Sequence, residues 1–483
     1  MKSTNFKESH DYLIVGSGAG GSAAFELLSQ KGFDVLMLEE GSNQSKNYSK
    51  DISWGMQNLY RNSGLTPLLG FPLVAFGEGK ILGGTTELNG GLFWRTPDFV
   101  LADWGSRLNL PLLSANHLWP HFEYLEEILQ VSNQKKILGA DQDSDLLRAG
   151  AENLGWKVVD VPRLVPGCLR DNRCGSGCPT NKKNSMTQTF IPRGISKGGN
   201  VQTDVRVLKI YKKRNRGVAL KVKNLRTGVI SYIGFKNLIL AGGVFQTPNL
   251  LFRSRILGMR VLRAQFHVNT KMFATWEKEI NADKGTIFTS QVQEFMQNGI
   301  LFMATNYRKE FLALAFGTKK KKLIEEMMGV YKNSGIFTAQ IKVASPAYIF
   351  SQRIPPFIFW KKSDIQLIKD ANILLAKVIF ASGAKEIQLP FSDSKFHDLV
   401  SISEAIKKSR FRDWNLQSVH AMSTCAMGNH RKAVVTPEGK LRNYENIIVA
   451  DASSLPTSIG ESPQGTIMAM SRLIVSNYIL REI

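Results

Sequence analysis

Three glycines in the pattern G-x-G-x-x-G, Gly16, Gly18 and Gly21, and a carboxylate beyond them, Glu39, have the types and spacing to hold a dinucleotide. Gly16 permits a tight turn, Gly18 lets main chain approach a pyrophosphate, and Gly21 allows close helix-to-strand packing. Glu39 is placed to accept hydrogen bonds from a ribose and would repel a 2′-phosphate, which disfavours an NADP-type ligand. A second set is Cys168, Cys174 and Cys178, a C-x5-C-x3-C array among Gly175, Gly177 and Pro179, which let a loop wrap closely around a metal centre. Three thiolates suit an iron–sulfur cluster, whereas zinc normally takes four ligands and no fourth is evident nearby. Unliganded structural or redox thiols are the alternative. Arg170, Arg173, Lys182 and Lys183 would stabilise a cluster and simple thiolates alike.

These residues need elements to present them. Residues 12–15 (YLIV) read as a short buried strand, and Ala23, Ala24, Leu27 and Leu28 recur at helical spacing before Gly32. Residues 35–38 form a second apolar strand that ends on Glu39. Strand, glycine turn, helix, strand and acid in this order make a Rossmann-like unit whose helix N-terminus offers free N–H groups to phosphates. That unit fits FAD and NAD equally. Residues 77–95 then hold six glycines in nineteen positions, which implies backbone contact with a ligand or a glycine-rich interdomain loop. In the first reading Gly83 and Gly84, with Thr85 beside them, bring main-chain N–H groups to a cofactor, and Asn89, Gly90 and Gly91 run beside a flat ring.

The chain has 483 residues, enough for two or more domain-sized units, and its 43% hydrophobic and 21% charged content suits a globular protein with a large core. Lys and Arg total 62 against 40 Asp and Glu, a net charge of +22, with the excess dense at residues 209–226 and 319–322. Such a surface favours polyanions, but no nucleic-acid-binding signature accompanies it, so no nucleic-acid partner is expected. The aromatic and basic stretch 348–362 (YIFSQRIPPFIFWKK) suits peripheral contact with an anionic membrane, with an ordinary buried loop as the alternative. The opening KSTNFKESH has no apolar core, and no uninterrupted apolar run is long enough to span a bilayer. The four cysteines do not form a secreted disulfide framework. A cytoplasmic protein is expected, with any membrane contact peripheral.

Five separated stretches carry a resemblance. GKILGGTTELNGGLFWRTP resembles the first signature of the glucose–methanol–choline (GMC) oxidoreductases, flavoproteins that oxidise alcohols, and NLILAGGVFQTPNLL resembles the second. VHAMSTCAMG, NIIVADASSLPTS and GESPQGTIMAMSR resemble the C-terminal block, and the chain is identified as a member of this family. The resemblance implies FAD, with Glu39 on the adenosine ribose and Asp451 facing the flavin end of the pyrophosphate. It implies an α/β fold: a discontinuous Rossmann-like FAD-binding domain from residues 7–91, 201–255 and 433–483, and a mainly substrate-binding α+β domain from 256–432 with an antiparallel sheet. Residues 92–200 are a connecting segment with the cysteine loop. Strand-like runs at 267–276, 291–307 and 336–343 and helical spacing at 319–331 and 364–381 fit that plan.

The implied activity is oxidation of a small-molecule alcohol CH–OH group to a carbonyl, by proton removal and hydride transfer to the flavin, with a dehydrogenase expected over an oxidase. His420 lies where the family places its base. Ser462 stands where the family has His or Asn before a proline, here Pro463; its short hydroxyl would need a close substrate, a water, or help from Glu461 or Gln464. Cys425, inside the His420 motif, reads as a packing residue. The cysteine loop is similar to that of FAD-dependent glucose dehydrogenase catalytic subunits, which implies a [3Fe–4S] cluster passing electrons to a quinone or cytochrome; long-chain alcohol oxidases of the family carry a Cys- and Gly-rich loop without that implication. Cysteine spacing favours sugar and sugar-acid substrates, and the aromatic stretch favours long-chain or ring-bearing alcohols. The alternative from outside enzymology is a flavoprotein that has lost alcohol chemistry and serves as an electron-carrying or light-responsive module.

Overall fold

The computed structural model describes residues 9–133, 142–305, 308–312, 316, 321–351 and 353–482. Residues 2–8, Tyr307, Lys319, Lys320 and Gln352, each part of a stretch singled out in the sequence, lie outside them.

The first sheet has a parallel core. Strand Ser9–Val15 lies between Val35–Leu38 and Ile230–Leu240, Asn200–Gln202 adds beyond Val35–Leu38, and Ile447–Val449 pairs with the end of Ile230–Leu240. The antiparallel hairpin Val205–Lys213 and Arg216–Asn224 continues from the first half of Ile230–Leu240. The core strands read as continuous apolar runs because both faces are covered. Register brings Val15 level with Leu38 and Leu240, and Leu240 level with Val449. Gly16, Glu39, Gly242 and Asp451 therefore leave the sheet at one edge, the carboxyl ends of the strands, where open α/β sheets bind ligands.

Helix Ala19–Gln30 packs against the last helix, Gln464–Glu482, so tightly that residues 20–29 are all buried. Small residues let the same helix sit close against the strand ends: a Cβ on Gly20 would lie 1.9 Å from the Ala450 carbonyl oxygen, and one on Gly21 would lie 2.0 Å from that of Gly16. Inside the packing sits the Glu26 carboxylate, paired with Arg472 at 2.7 Å and Arg193 at 3.2 Å, so that no buried charge is left uncompensated.

The second sheet is built around the long strand Leu262–Thr275. On one side it pairs with Ser334–Lys342, followed by Ile300–Ala304, Ser290–Val292 and Val158–Asp160. On the other it carries Leu416–Ser418, Ala421–Met422, Glu386–Gln388 and Ala347–Ile349. Pairing is antiparallel except between Leu416–Ser418 and Val74–Phe76. Side chains alternate across the sheet: Val268, Thr270 and Met272 face Ile341, Ala339 and Phe337 across the strands and join the main core with helix Lys362–Ala381. The opposite face pairs His267 with Lys342, Asn269 with Gln340, and Lys271 with Thr338.

Residues 42–76 contain helix Ile52–Leu59, and strands Thr66–Leu68 and Val74–Phe76 belong to the second sheet. Their strand partner, Leu416–Ser418, lies far away in sequence, so local pattern carried no sign of it. Likewise Val158–Asp160, from the connecting segment, ends the same sheet.

The contrast among neighbouring glycines gives a direct test. Gly20→Ala forces a methyl into backbone and should lower stability by about 3 kcal/mol in denaturant melts. Gly18→Ala, whose Cβ would meet nothing within 4 Å, should melt like the wild-type apoprotein.

Candidate active site

At the edge where the parallel strands end, Gly16 takes a φ of +102°, and an added Cβ would strike the Ala241 carbonyl oxygen at 2.3 Å. Gly18 and Gly243 face open space instead. The second glycine loop abuts the first: Gly83 and Gly84 both have positive φ, Gly83 N–H donates to Ser17 Oγ at 2.9 Å, and a Cβ on Gly84 would approach Gly18 Cα to 2.9 Å. Glu39 is held by Ser17 N–H and O–H on one oxygen and by Gly41 N–H on the other. Burial pushes its pKa up, and Oε1, which takes only the Gly41 N–H, keeps acceptor capacity for a ligand hydroxyl. Asp451 accepts from Gly243 N–H and the Thr247 hydroxyl on one oxygen and from Ser453 on the other, so it ties the second signature to the C-terminal block.

Thr85 Oγ1 accepts from Gly79 N–H, which shapes the glycine loop from within. Asn89 accepts from Gly91 N–H, itself at φ +70°, and donates to Gln464 Oε1 at the start of the last helix. The loop's carbonyls are gripped by two buried cations. Lys183 Nζ donates to Glu87 O at 2.6 Å and to Asn89 O at 3.0 Å, and Arg163 donates through Nε and Nη2 to Gly90 O at 2.9 and 2.7 Å. Sequence reading missed this role for both residues; the available signal was a charged side chain inside the apolar run around Arg163.

The cysteine loop corrects an expectation. Cys168, Cys174 and Cys178 line one small cavity with Lys182 and Lys183, but each sulfur has a local partner: Arg170 N–H for Cys168, Arg163 for Cys174, and the Thr180 hydroxyl for Cys178. Among the described residues no three His, Cys, Asp or Glu side chains converge as a metal-binding group, so a [3Fe–4S] cluster is not supported. All four cysteines are free thiols; Cys425 is buried in the core, and burial raises its pKa and that of Cys174.

His420 stands between the two sheets. Strand Leu262–Thr275 pins its loop on both sides, pairing Asn269 with Gln417 and Phe266 with Ala421, while His267 N–H donates to His420 O. His267 was not found from sequence, because a lone histidine in an alternating strand reads as an ordinary polar position. Its Nδ1 lies 3.2 Å from His420 Nδ1, with the rings at 89°. Gly460 N–H donates to His267 Nε2 at 3.2 Å, so that nitrogen carries a lone pair. The ring proton is then on Nδ1 and is donated to His420 Nδ1, which leaves the proton of neutral His420 on Nε2. Burial lowers both pKa values, that of His420 to about 4.

Ser462 belongs to the Gly460 turn that touches His267; its N–H binds the Glu461 carboxylate at 2.8 Å, and no described residue engages its hydroxyl. Glu461 is also held by Gln291 Nε2 at 2.8 Å, and Gln340 Nε2 reaches Gly460 O at 3.4 Å. Several buried polar atoms in this region have no partner: Asn269 Oδ1, Gln291 Oε1, Gln464 Nε2 and Trp94 Nε1.

Comparison with known proteins agrees with this geometry. Two family models described as GMC oxidoreductase match residues 56–261 and 340–471, and an NAD(P)-binding Rossmann-like domain model matches residues 14–49. The chain belongs to the GMC oxidoreductase family. An uncharacterised GMC-type oxidoreductase of Sinorhizobium fredii is 29% identical over 95% of this chain and 93% of its own. A long-chain-alcohol oxidase of Arabidopsis thaliana is 25% identical over 96% of this chain and 67% of its own. A solved formate oxidase of Aspergillus oryzae shares the fold at a TM-score of 0.73 and 14% identity, covering 99% of each chain.

GMC oxidoreductases are FAD flavoproteins, and the residues here fit that cofactor. Open space at Gly18 and Gly243 admits a pyrophosphate, Glu39 suits a ribose, and the unpartnered Gln464 and Trp94 N–H groups suit a ring that bears acceptors. If the buried cations set this loop, Lys183→Met should raise the Kd for FAD about tenfold or more, an effect of at least ~1.4 kcal/mol. Cys174→Ser should keep both the flavin spectrum and the affinity, as fluorescence titration of the apoprotein would report.

Proposed function

We propose that this GMC oxidoreductase oxidises the CH–OH group of a small-molecule alcohol to a carbonyl, with His420 and Ser462 on the reacting oxygen. The observation that carries this reading is the imidazole pair His267 and His420, held against the Gly460 turn between the two sheets. Bound FAD supplies the acceptor for the hydride. The resemblance gives His420 the role of base, but with Nδ1 accepting from His267 the neutral ring offers an N–H at Nε2. We therefore assign it as a donor that polarises the hydroxyl and stabilises charge on oxygen, with the Ser462 hydroxyl as a second donor.

The buried polar sheet face favours the sugar and sugar-acid class over long-chain alcohols, because Asn269 and Gln291 hold unpartnered acceptors that an aliphatic chain would leave unsatisfied. The cysteine sulfurs make no ligand set, so the reduced cofactor discharges directly to oxygen or a soluble quinone rather than through an internal relay to a cytochrome.

We place the protein in the cytoplasm with peripheral contact to an anionic membrane. None of the helices among the described residues is long and apolar enough to cross a bilayer. Phe71, Ile354 and Phe359 are 82%, 54% and 61% exposed on adjoining loops, and Arg353, Lys361 and Lys362 lie beside them in sequence. Phe71→Ser/Phe359→Ser should abolish sedimentation with phosphatidylserine vesicles; unchanged sedimentation would remove this surface from the reading.

The activity is tested by anaerobic mixing with alcohols. Bleaching of the flavin by a sugar or sugar acid is expected, and His420→Ala should slow it by about 10²–10³, the usual cost of one oxyanion donor. Absence of bleaching by every alcohol class would favour the electron-carrying or light-responsive alternative.

A further inference from the structure

We propose that the side chain that takes the substrate's hydroxyl proton is Glu461. The inference rests on the alcohol-oxidising reading above and completes its proton balance, since the donor role of His420 leaves the reaction without a base. With FAD bound, the O–H proton of the alcohol would pass to the Glu461 carboxylate and the C–H hydrogen would leave with both electrons of its bond as hydride, for which the oxidised cofactor is the acceptor. The carbonyl product then leaves, and Glu461 returns its proton to solvent.

Placement is the first support. Glu461 lies between Gly460, whose N–H binds His267, and Ser462, so the carboxyl belongs to the turn that meets the imidazole pair. On its other side is Gln291, one of the side chains with an unpartnered buried atom. Capacity is the second. Ser462 N–H occupies one site on Oε1 and Gln291 Nε2 one site on Oε2, and an ionised carboxylate has about four such sites. Both oxygens can still accept.

Electrostatics is the third. The hydrogen-bond partners of Glu461 are uncharged, as are those of Glu39 at the cradle, whereas the buried Glu26 and Glu78 are each paired with arginine. A buried carboxylate without a cation is costly as structure alone, and protonation relieves that cost. Burial accordingly pushes its pKa up to about 7, where a carboxyl group both accepts and releases a proton near neutrality. The other titratable groups on the sheet face are His267, Lys342 and Lys271, all lowered by burial, Lys271 to about 8. His420, lowered to about 4, completes the set. Glu461 is the one carboxylate among the hydrogen-bond partners of His267, His420, Gly460, Gln291 and Gln340 in the described residues.

The holoprotein with FAD is the material for the test, and glucose, gluconate, glycerol, 1-octanol and cyclohexanol are the probes. Wild-type flavin reduction should rise with pH through about 7 as Glu461 ionises. In Glu461→Gln it should fall by about 10²–10⁴ and lose that pH dependence, with FAD content and circular dichroism unchanged. Glu461→Asp should recover part of the rate with a displaced midpoint, which a purely structural role would not produce. Infrared difference spectra between about pH 5 and about pH 9 should contain a protonated-carboxyl band that Glu461→Gln removes, a readout that needs neither substrate nor turnover. Failure of every probe alcohol to reduce wild-type flavin overturns the functional reading and this proposal with it. Wild-type reduction that survives Glu461→Gln with its pH profile intact, or an infrared band indifferent to the substitution, overturns the proton assignment alone.

Discussion

The site depends on satisfying the backbone of the glycine-rich loop 83–91, in which four of nine positions have no side chain to pack. Residues 83–91 take positive φ at Gly83, Gly84 and Gly91 and a short helical turn at Gly84–Glu87 beside the cradle, outside the strands of either sheet. Buried carbonyls without donors each cost about 1–3 kcal/mol, so the loop keeps one shape only if donors are brought to it. Lys183 and Arg163 provide them from the connecting segment, reaching Glu87 O, Asn89 O and Gly90 O. Burial lowers the pKa of Lys183, and the carbonyl dipoles, with Glu87 nearby, compensate the charge. The cysteine loop is thus the scaffold that carries the lysine.

A second constraint joins the two sheets. The His420 loop is strand-paired to Leu262–Thr275 on one side and hydrogen-bonded to residues 452–454 on the other, through Ser423, Cys425 and Met427 N–H groups. A short segment spanning both layers fixes the sheet-to-sheet distance and, with it, the height of His420 above the cradle. Its partner His267 is fixed by register, because a slip of one residue would turn His267, Asn269 and Lys271 to the apolar face. The polar lining of the site and the placement of its histidines are therefore one structural fact.

Carboxylates in this protein are of two kinds, some with a cation and some, like Glu39 and Asp451 at the cradle, with neutral donors only. At the cradle, Glu40 and Glu78 share Arg61 in an ion-pair network, and Glu26 takes Arg472. On the other side of the site, Glu461 has only neutral donors. Burial raises the pKa of Glu78 against the opposing pull of Arg61, whereas Glu461, with only neutral partners in the same low dielectric, is pushed up to about 7 and becomes able to exchange a proton.

The sequence by itself determined the cradle and the family. The strand, glycine turn, helix, strand and acid of residues 12–39 are contiguous, and their roles follow from φ freedom and apolar periodicity within one short window. The proposals for His420, Ser462 and Asp451 come from the local motif in which each of them sits. Tertiary structure alone decided what surrounds them. His267 meets His420 across 153 positions, and Lys183 reaches Asn89 across 94. The tautomer of the histidine pair depends on the groups at His267 Nε2, the Gly460 N–H and the Ser458 hydroxyl, which lie 193 and 191 positions from it. The cysteine array shows the limit from the other side: its spacing permitted a cluster, but side-chain direction turned each sulfur toward a different neighbour. Spacing along a chain constrains which residues can meet. Which of them do meet is set by strand register and by buried polar groups finding partners, and both are properties of the assembled fold.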